Sequence, residues 1–211
     1  SRRTPSIWIP PTMALAERLR ISPGVPLLLA AFVWLASPLL LGAILSAAVC
    51  HELGHWLVLR RVGGRIQRLH ITVFGAEMQV DDRRISYGGE LLTAAAGPVI
   101  NLLLAAAMGL LGRWWEPLYL FAGAQLVLGA FNLLPALPLD GGRILWLALA
   151  WLTEPYTAQR VLSAVSLAVS LALLLGGGWF IWRVGGSPFL LVRAVGLTGW
   201  NLREIKLAKG G

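Results

Sequence analysis

The chain has 211 residues, of which 57% are hydrophobic and only 13% are charged, with a mean hydropathy of +0.71 and a net charge of +8. Ordinary soluble domains carry about 25% charged residues, so this composition excludes that class and indicates a polytopic membrane protein. Nucleic-acid binding is excluded because no basic patch with interleaved aromatic residues is found, and the single cysteine excludes a disulfide or a thiolate zinc cluster.

The N-terminal third of the chain predicts a cytosolic segment followed by two apolar segments. Residues 1–23 are basic and contain prolines, and residues 13–20 are expected to form a short interfacial helix. Residues 24–36 are apolar but short for a full span. Residues 37–60 are long enough to cross a bilayer as one helix.

That second apolar segment carries an H-E-x-x-H motif, His51-Glu52-Leu53-Gly54-His55. His51 and His55 are four residues apart, so both imidazoles lie on one helix face, with Glu52 beside them. In a soluble helix such a pattern can be a solvated polar face, but within a bilayer no water is available to solvate it. The motif therefore predicts a zinc site inside the membrane.

Residues 61–88 form the longest polar stretch of the chain. Alternating apolar and polar residues on both sides of Gly75-Ala76 predict a small membrane-associated β-hairpin over residues 66–80. The third and last histidine, His70, lies in this hairpin. We expect it to be a polar residue at the cytosolic edge of the membrane rather than a metal ligand.

Four further apolar segments complete the predicted spans. Residues 91–111 are rich in small residues, which allow close helix packing in membranes. Residues 117–131 and 161–182 are further spans, and a weaker one at 188–200 is interrupted by Arg193, for which no role is assigned. The predicted fold class is all-α polytopic, with about six transmembrane helices and the hairpin after the H-E-x-x-H helix.

The fourth span ends in an irregular segment at membrane depth. Two prolines and two glycines within residues 132–142 exclude a continuous helix there. Irregular backbone at this depth is found only where it is buried in protein or lines a cavity. Asp140 lies in this segment, and we prefer it as the third zinc ligand over a role as a helix cap or as a partner of Arg143.

A depth estimate supports pairing this segment with the H-E-x-x-H helix. His51 is about 21 Å along its helix from Ser37, at about 1.5 Å per residue. Asn132 is about 22 Å along the fourth span from Pro117, starting from the same face of the membrane. His51 and Asn132 can therefore lie at the same depth in the membrane.

The distribution of positive charges predicts the orientation of the chain in the membrane. With the N-terminus in the cytosol, the outer loops hold only Arg113 and Arg183, and the other basic residues of the loops and termini are cytosolic. The composition suits a bacterial plasma membrane. We expect a multi-pass protein with a cytosolic N-terminus and its active site toward the cytosolic side.

Three motifs together resemble the site-2 protease family of intramembrane zinc metalloproteases. The first is the H-E-x-x-H motif, and the second is Asn132-x-x-Pro135-x-x-x-x-Asp140-Gly141, the family's N-x-x-P-x-x-x-x-D-G pattern. The third is Gly97-Pro98-Val99-Ile100-Asn101, which resembles the family's G-P-x-x-N step. The chain looks most like the small sporulation-type branch, the stage IV sporulation protein FB-like enzymes, and we expect a member without the CBS domain that the branch often carries.

The resemblance implies a domain organisation and a function. Residues 24–200 would form the protease domain, between a cytosolic lead-in (1–23) and a basic cytosolic tail (201–211). It would be a zinc metalloendopeptidase that cuts a membrane-bound protein in or next to its transmembrane segment, in regulated intramembrane proteolysis. A helical substrate must be unwound first, and the hairpin could receive it as an added strand. Whether an inhibitory membrane protein binds the protease is left open.

The resemblance also implies the roles of individual residues. One Zn²⁺ per chain would be bound by His51, His55 and Asp140. Glu52 would act as the general base, and Asn132 would donate a hydrogen bond to the substrate or its oxyanion.

Three alternatives are weighed against this prediction. A non-catalytic zinc-containing membrane binding protein is disfavoured because structural zinc sites are usually closed and rich in cysteine. A broken helix would suit a metal transporter, but the sequence lacks the repeated halves that are typical of transporters. A different H-E-x-x-H class with a glutamate ligand would have to use Glu90 or Glu154, and both lie at span ends.

Overall fold

The computed structural model describes residues 19–22, 37–72, 75–81 and 85–184, together with the single residues 24, 26, 30 and 198. Its elements, in chain order, are β1 (Leu19–Ile21), α1 (Pro38–Arg61), β2 (Arg65–Thr72), β3 (Gly75–Asp81), α2 (Tyr87–Leu111), α3 (Leu118–Asn132), α4 (Asp140–Leu152) and α5 (Pro155–Val184). Helices form most of this part of the chain, beside one small sheet.

Three described helices are long and apolar enough to cross a membrane: α1, α2 and the first 25 residues of α5. The shorter apolar helix α3 corresponds to the predicted fourth span. Apart from single residues, the predicted spans at 24–36 and 188–200 lie outside the described residues, as does the tail at 201–211. Six spans therefore stay a prediction.

Helix α1 begins at a capped turn and presents one buried stripe. The Ser37 hydroxyl accepts a hydrogen bond from the Leu40 N–H at 3.2 Å, and Pro38 fills the first helical position, where its missing N–H has no cost. The buried residues recur at helical spacing, and they are Ala43, Ala47, His51, Gly54, His55 and Leu59. This stripe packs against α2 and α3.

Helices α1 and α2 approach each other closely at Gly54. A Cβ atom at Gly54 would lie only 2.8 Å from the Ala96 carbonyl oxygen and 2.8 Å from the Ile100 side chain. Small residues at this crossing allow such an approach, as is common between membrane helices. Helix α2 is capped by Ser86, whose hydroxyl accepts from the Gly89 N–H at 3.2 Å.

The irregular segment predicted after the fourth span lies between α3 and α4. Helix α3 ends at Asn132, and α4 begins at Asp140, so residues 133–139 link two helices as expected. The sequence pattern predicted no element over residues 140–152, which form a helix. Its first residues include Gly141 and Gly142, and because glycine has a low helix propensity, the sequence did not indicate a helix there.

The sheet has the strand order β1-β2-β3. Strands β2 and β3 are antiparallel, with Leu69 opposite Met78 and Thr72 opposite Gly75, while β1 lies parallel to β2. The helix expected over 13–20 is wrong at its described end, since residues 19–21 form β1. The edge of β2 that faces away from β3 offers backbone hydrogen bonds to residues 19–21, and these compete with helix formation. The location of this sheet at the membrane stays a prediction.

Candidate metal centre

Two histidines from α1 and one aspartate from α4 bring their ligand atoms to one point. The three atoms, one each from His51, His55 and Asp140, lie within 4.8 Å of one another. Asp140 Oδ2 is 3.0 Å from His51 Nε2 and 3.3 Å from His55 Nε2, and the two Nε2 atoms are 3.1 Å apart. Ligands about 2.0–2.1 Å from a tetrahedral zinc are roughly 3.3 Å from one another, which is close to this spacing.

The far nitrogen of each imidazole contacts an oxygen that can only accept a hydrogen bond. His51 Nδ1 lies 2.9 Å from Asn101 Oδ1, and His55 Nδ1 lies 2.7 Å from the Thr93 carbonyl oxygen. Both Nδ1 atoms must therefore carry the proton and donate it. This arrangement fixes the tautomer and leaves a lone pair on each Nε2.

The convergence of these groups suits a bound cation. Two imidazole lone pairs and a carboxylate oxygen face one another in a buried site, where His51 and His55 are 6% and 7% exposed. Asp140 Oδ2 is buried and has no hydrogen-bond donor within the described residues. Buried acceptors without a donor are costly, and a bound metal ion would satisfy all three at once.

Helix α2 is shaped to receive His55. A Cβ atom at Gly97 would collide with the His55 imidazole, so only glycine fits at this position. Pro98, the next residue of the helix, cannot donate the helical hydrogen bond to the Ala94 carbonyl. The Thr93 carbonyl in the same turn accepts the His55 N–H.

The segment before α4 fixes the position of Asp140. The Leu137 N–H donates to the hydroxyl of Ser166 on α5 at 3.1 Å. Ala136 and Leu139 are buried and pack against apolar residues of α3, of the linking segment and of α5. Gly141 and Gly142 lie against the backbones of Leu133 and Ala136, where a Cβ would not fit.

Glu52 lies next to His51 but is not one of the three possible metal ligands. Its Oε2 atom is buried and has no hydrogen-bond partner in the described part of the chain. An unpaired buried carboxylate oxygen is costly, which indicates a function for it.

The other predicted or alternative site residues lie outside this cluster. Asn132 Nδ2 donates to the Leu128 carbonyl of its own helix at 3.0 Å. The cluster of described ligand groups contains neither Glu90 nor Glu154. His70 lies in β2, and its side chain is outside the description.

Two contributing amide side chains were not predicted from the sequence. Asn101 was noted only as part of a motif, and Gln125, to which it donates at 2.6 Å, was not noted at all. Both are fully buried polar residues in apolar helices. That burial pattern was the available signal, since polar groups inside a membrane span usually have a function.

The chain is similar to one protein family and to several curated proteins. Residues 110–176 match the model of the family described as "Peptidase family M50". The chain is 29% identical over 138 residues to "Zinc metalloprotease MJ0392" of Methanocaldococcus jannaschii, covering 62% of this chain and 40% of the relative. It is also 29% identical over 166 residues to "Stage IV sporulation protein FB" of Bacillus subtilis, covering 72% of this chain and 57% of that protein.

The fold agrees with these matches. The structure of "Site-2 Protease from Methanocaldococcus jannaschii" superimposes with a TM-score of 0.67 at 23% identity, over 88% of this chain and 89% of that one. The chain spans less than two thirds of the length of the curated relatives named above.

Proposed function

We propose that this chain, which matches the peptidase family M50 model over residues 110–176 and has the fold of a site-2 protease, is an intramembrane zinc metalloendopeptidase. Its substrate would be a membrane-bound protein, cut in or next to a transmembrane segment. The observation that carries the proposal is the buried cluster of His51, His55 and Asp140, whose lone pairs converge beside Glu52 in a helix of membrane-spanning length.

The donor set fits zinc with one position left for chemistry. Two imidazole nitrogens and one carboxylate oxygen form a three-ligand set typical of catalytic rather than structural zinc. When bound there, zinc supplies a Lewis acid that polarises a peptide carbonyl and activates a water molecule. The name of the relative "Zinc metalloprotease MJ0392" supports the same ion.

Glu52 is suited to move the proton in this reaction. Its buried Oε2 has no partner among the described residues, so it is available to accept a proton from the attacking water. It would then deliver that proton to the departing amine of the cleaved peptide bond.

Asn132 would assist by donating a hydrogen bond to the substrate carbonyl. Its Nδ2 group already donates to Leu128, but an amide NH₂ has two hydrogens. One hydrogen therefore stays available for a substrate that enters between α3 and the metal centre.

Strand β3 would receive the substrate in extended form. In the described sheet β2 is central, so β3 has a strand neighbour on only one side. A substrate that adds to the other side would be unwound, and its carbonyls would be exposed for attack.

The proposal includes the arrangement in the membrane. Residues 24–200 would form a six-span protease domain in a bacterial plasma membrane, flanked by cytosolic residues 1–23 and 201–211. The metal centre would lie toward the cytosolic side, and water would reach it from there.

The test is cleavage of single-span reporter substrates by the full chain in detergent. We expect a strong chelator to abolish cleavage and about one equivalent of zinc per chain to restore it. Mass spectrometry should place the cut in or next to the transmembrane segment. Cleavage that persists in zinc-free protein would contradict the proposal. If zinc-loaded protein cut none of several reporters, a binding or transport role would replace it.

A further inference from the structure

Gln125 is a fully buried amide in the middle of the apolar helix α3. Its Oε1 atom accepts a hydrogen bond from Asn101 Nδ2 at 2.6 Å. Its Nε2 atom is buried and has no partner among the residues that the structure describes. Asn101 Nδ2 also donates to the Ala47 carbonyl, which can only accept, so this side of Asn101 is a donor and Gln125 must meet it with Oε1.

Asn101 connects Gln125 to the metal centre. Asn101 has no exposed surface, and its Oδ1 accepts from His51 Nδ1 while its Nδ2 donates to Gln125 Oε1 and, at 3.1 Å, to the Ala47 carbonyl. All three polar contacts of this amide are therefore used in one orientation.

The opposite orientation of Asn101 would disable His51 as a ligand. Nδ2 would then face His51 Nδ1 and require it to accept, which moves the imidazole proton to Nε2. A protonated Nε2 has no lone pair for a metal. Oδ1 would also face the Ala47 carbonyl and Gln125 Oε1, and neither of these can donate.

We propose that Gln125 is a positioning residue of the metal centre. By accepting from Asn101 Nδ2 it keeps Asn101 Oδ1 on His51, and so keeps the Nε2 lone pair of His51 directed at the metal. The inference rests on the proposed function, because it assigns Gln125 a role only if His51 binds a metal.

The expected effect is a loss of metal affinity rather than a loss of fold. Outer contacts of metal ligands are typically worth about 10–100-fold in affinity. The Ala47 carbonyl still favours the same orientation of Asn101, so we expect a loss near the lower limit, about tenfold for Gln125→Met.

The experiment measures zinc affinity of the full chain in detergent by competition with a chelator. Gln125→Met removes the acceptor at similar volume, whereas Gln125→Glu keeps an oxygen at the same place. Leu126→Met is the control, because Leu126 is the next residue of α3 and is 52% exposed. We expect about tenfold weaker zinc binding for Gln125→Met and less than about threefold for the other two. The visible spectrum of the cobalt-substituted protein should change only in Gln125→Met.

A double-mutant cycle with Asn101→Ala separates this role from general packing. Without Asn101 the connection to His51 is lost, so adding Gln125→Met should change zinc affinity by less than about twofold. An equal loss in both backgrounds, or no loss from Gln125→Met alone, would overturn the inference. Gln125→Leu replaces Gln125→Met if the latter does not fold. A parent protein that binds no zinc would instead contradict the proposed function.

Discussion

At the scale of single residues, Gly97 shows how little space the metal centre leaves. Its Cα faces the His55 imidazole so closely that a Cβ atom would collide with the ring. His55 is held from the other side by the Thr93 carbonyl. The ring can therefore move away from an added methyl group only by giving up that hydrogen bond or its place at the metal.

We predict that Gly97→Ala weakens zinc binding by about 10–100-fold, because the His55 ring must shift. Gly109→Ala is the matched control, since Gly109 lies in the same helix and a Cβ there would meet nothing within 4 Å. Chelator competition measures the zinc affinity of the two variants and of the parent. Parent-like affinity in a folded Gly97→Ala protein would show that the site does not depend on this contact.

The residues of the centre differ in how far the sequence predicted them. His51, Glu52 and His55 follow from one motif, and Asp140 follows from its place in a broken helix. Thr93 contributes a backbone carbonyl, which every residue has, so no side-chain pattern could indicate it. The roles of Asn101 and Gln125 depend on how α1, α2 and α3 pack, which one sequence does not reveal.

At the scale of elements, the position of Asp140 depends on the segment between α3 and α4. Residues 133–139 are not helical, yet they are held to α5 by the bond from Leu137 N–H to the Ser166 hydroxyl. Close contacts of Gly141 and Gly142 with this segment bring the start of α4 against it. The negative Asp140 also lies in the first turn of α4, where the helix dipole favours it.

We predict that Ser166→Ala lowers stability by about 1–3 kcal/mol, because a buried hydrogen bond is lost. It should also weaken zinc binding, since the segment that carries Asp140 is held less firmly. Ser163→Ala, three residues earlier on α5, should change neither property. Thermal unfolding of the metal-free protein and chelator competition measure the two effects, and equal behaviour of the two variants would contradict the prediction.

A second element with a predicted role is strand β3. Proline introduced one residue at a time through positions 76–80 should lower reporter cleavage wherever the removed N–H faces away from β2, while zinc stays bound. Positions whose N–H faces β2 should instead disturb the sheet. Unchanged cleavage at every position, with the proteins folded, would exclude strand addition to β3.

The elements also show where sequence patterns succeed. Length and hydropathy placed α1 at 37–60, and the helix is Pro38–Arg61. Helix α4 was missed because two glycines follow Asp140, and their low propensity indicates a turn. Tertiary packing overrides that propensity, since only glycine fits against Leu133 and Ala136.

At the scale of the whole molecule, several polar residues lie inside the described helices, and several large apolar residues lie on their outer surface. His51, Asn101 and Gln125 are buried between α1, α2 and α3, whereas Leu103 and Val127 are 64% and 68% exposed. Such a distribution suits a helical bundle whose outer surface meets lipid and whose interior carries the chemistry.

The positive charges predict which ends of the helices face the cytosol. Glu116, before α3, and Glu154, before α5, are both exposed acidic residues. In a protein in which Cys50 is replaced by alanine, Glu116→Cys should react with a membrane-impermeant thiol reagent added to intact cells. Glu154→Cys should react only after the membrane is opened. The reverse pattern would contradict the predicted orientation.

The most direct test of the central claim compares the parent with Glu52→Gln for zinc content and reporter cleavage in detergent. The account predicts about one zinc per chain in both proteins and a loss of cleavage of at least about 100-fold only in Glu52→Gln, because the glutamine cannot accept the proton. Glu116→Gln, an exposed control, should behave as the parent does. Equal cleavage by parent and Glu52→Gln, with zinc bound in both, would contradict the account.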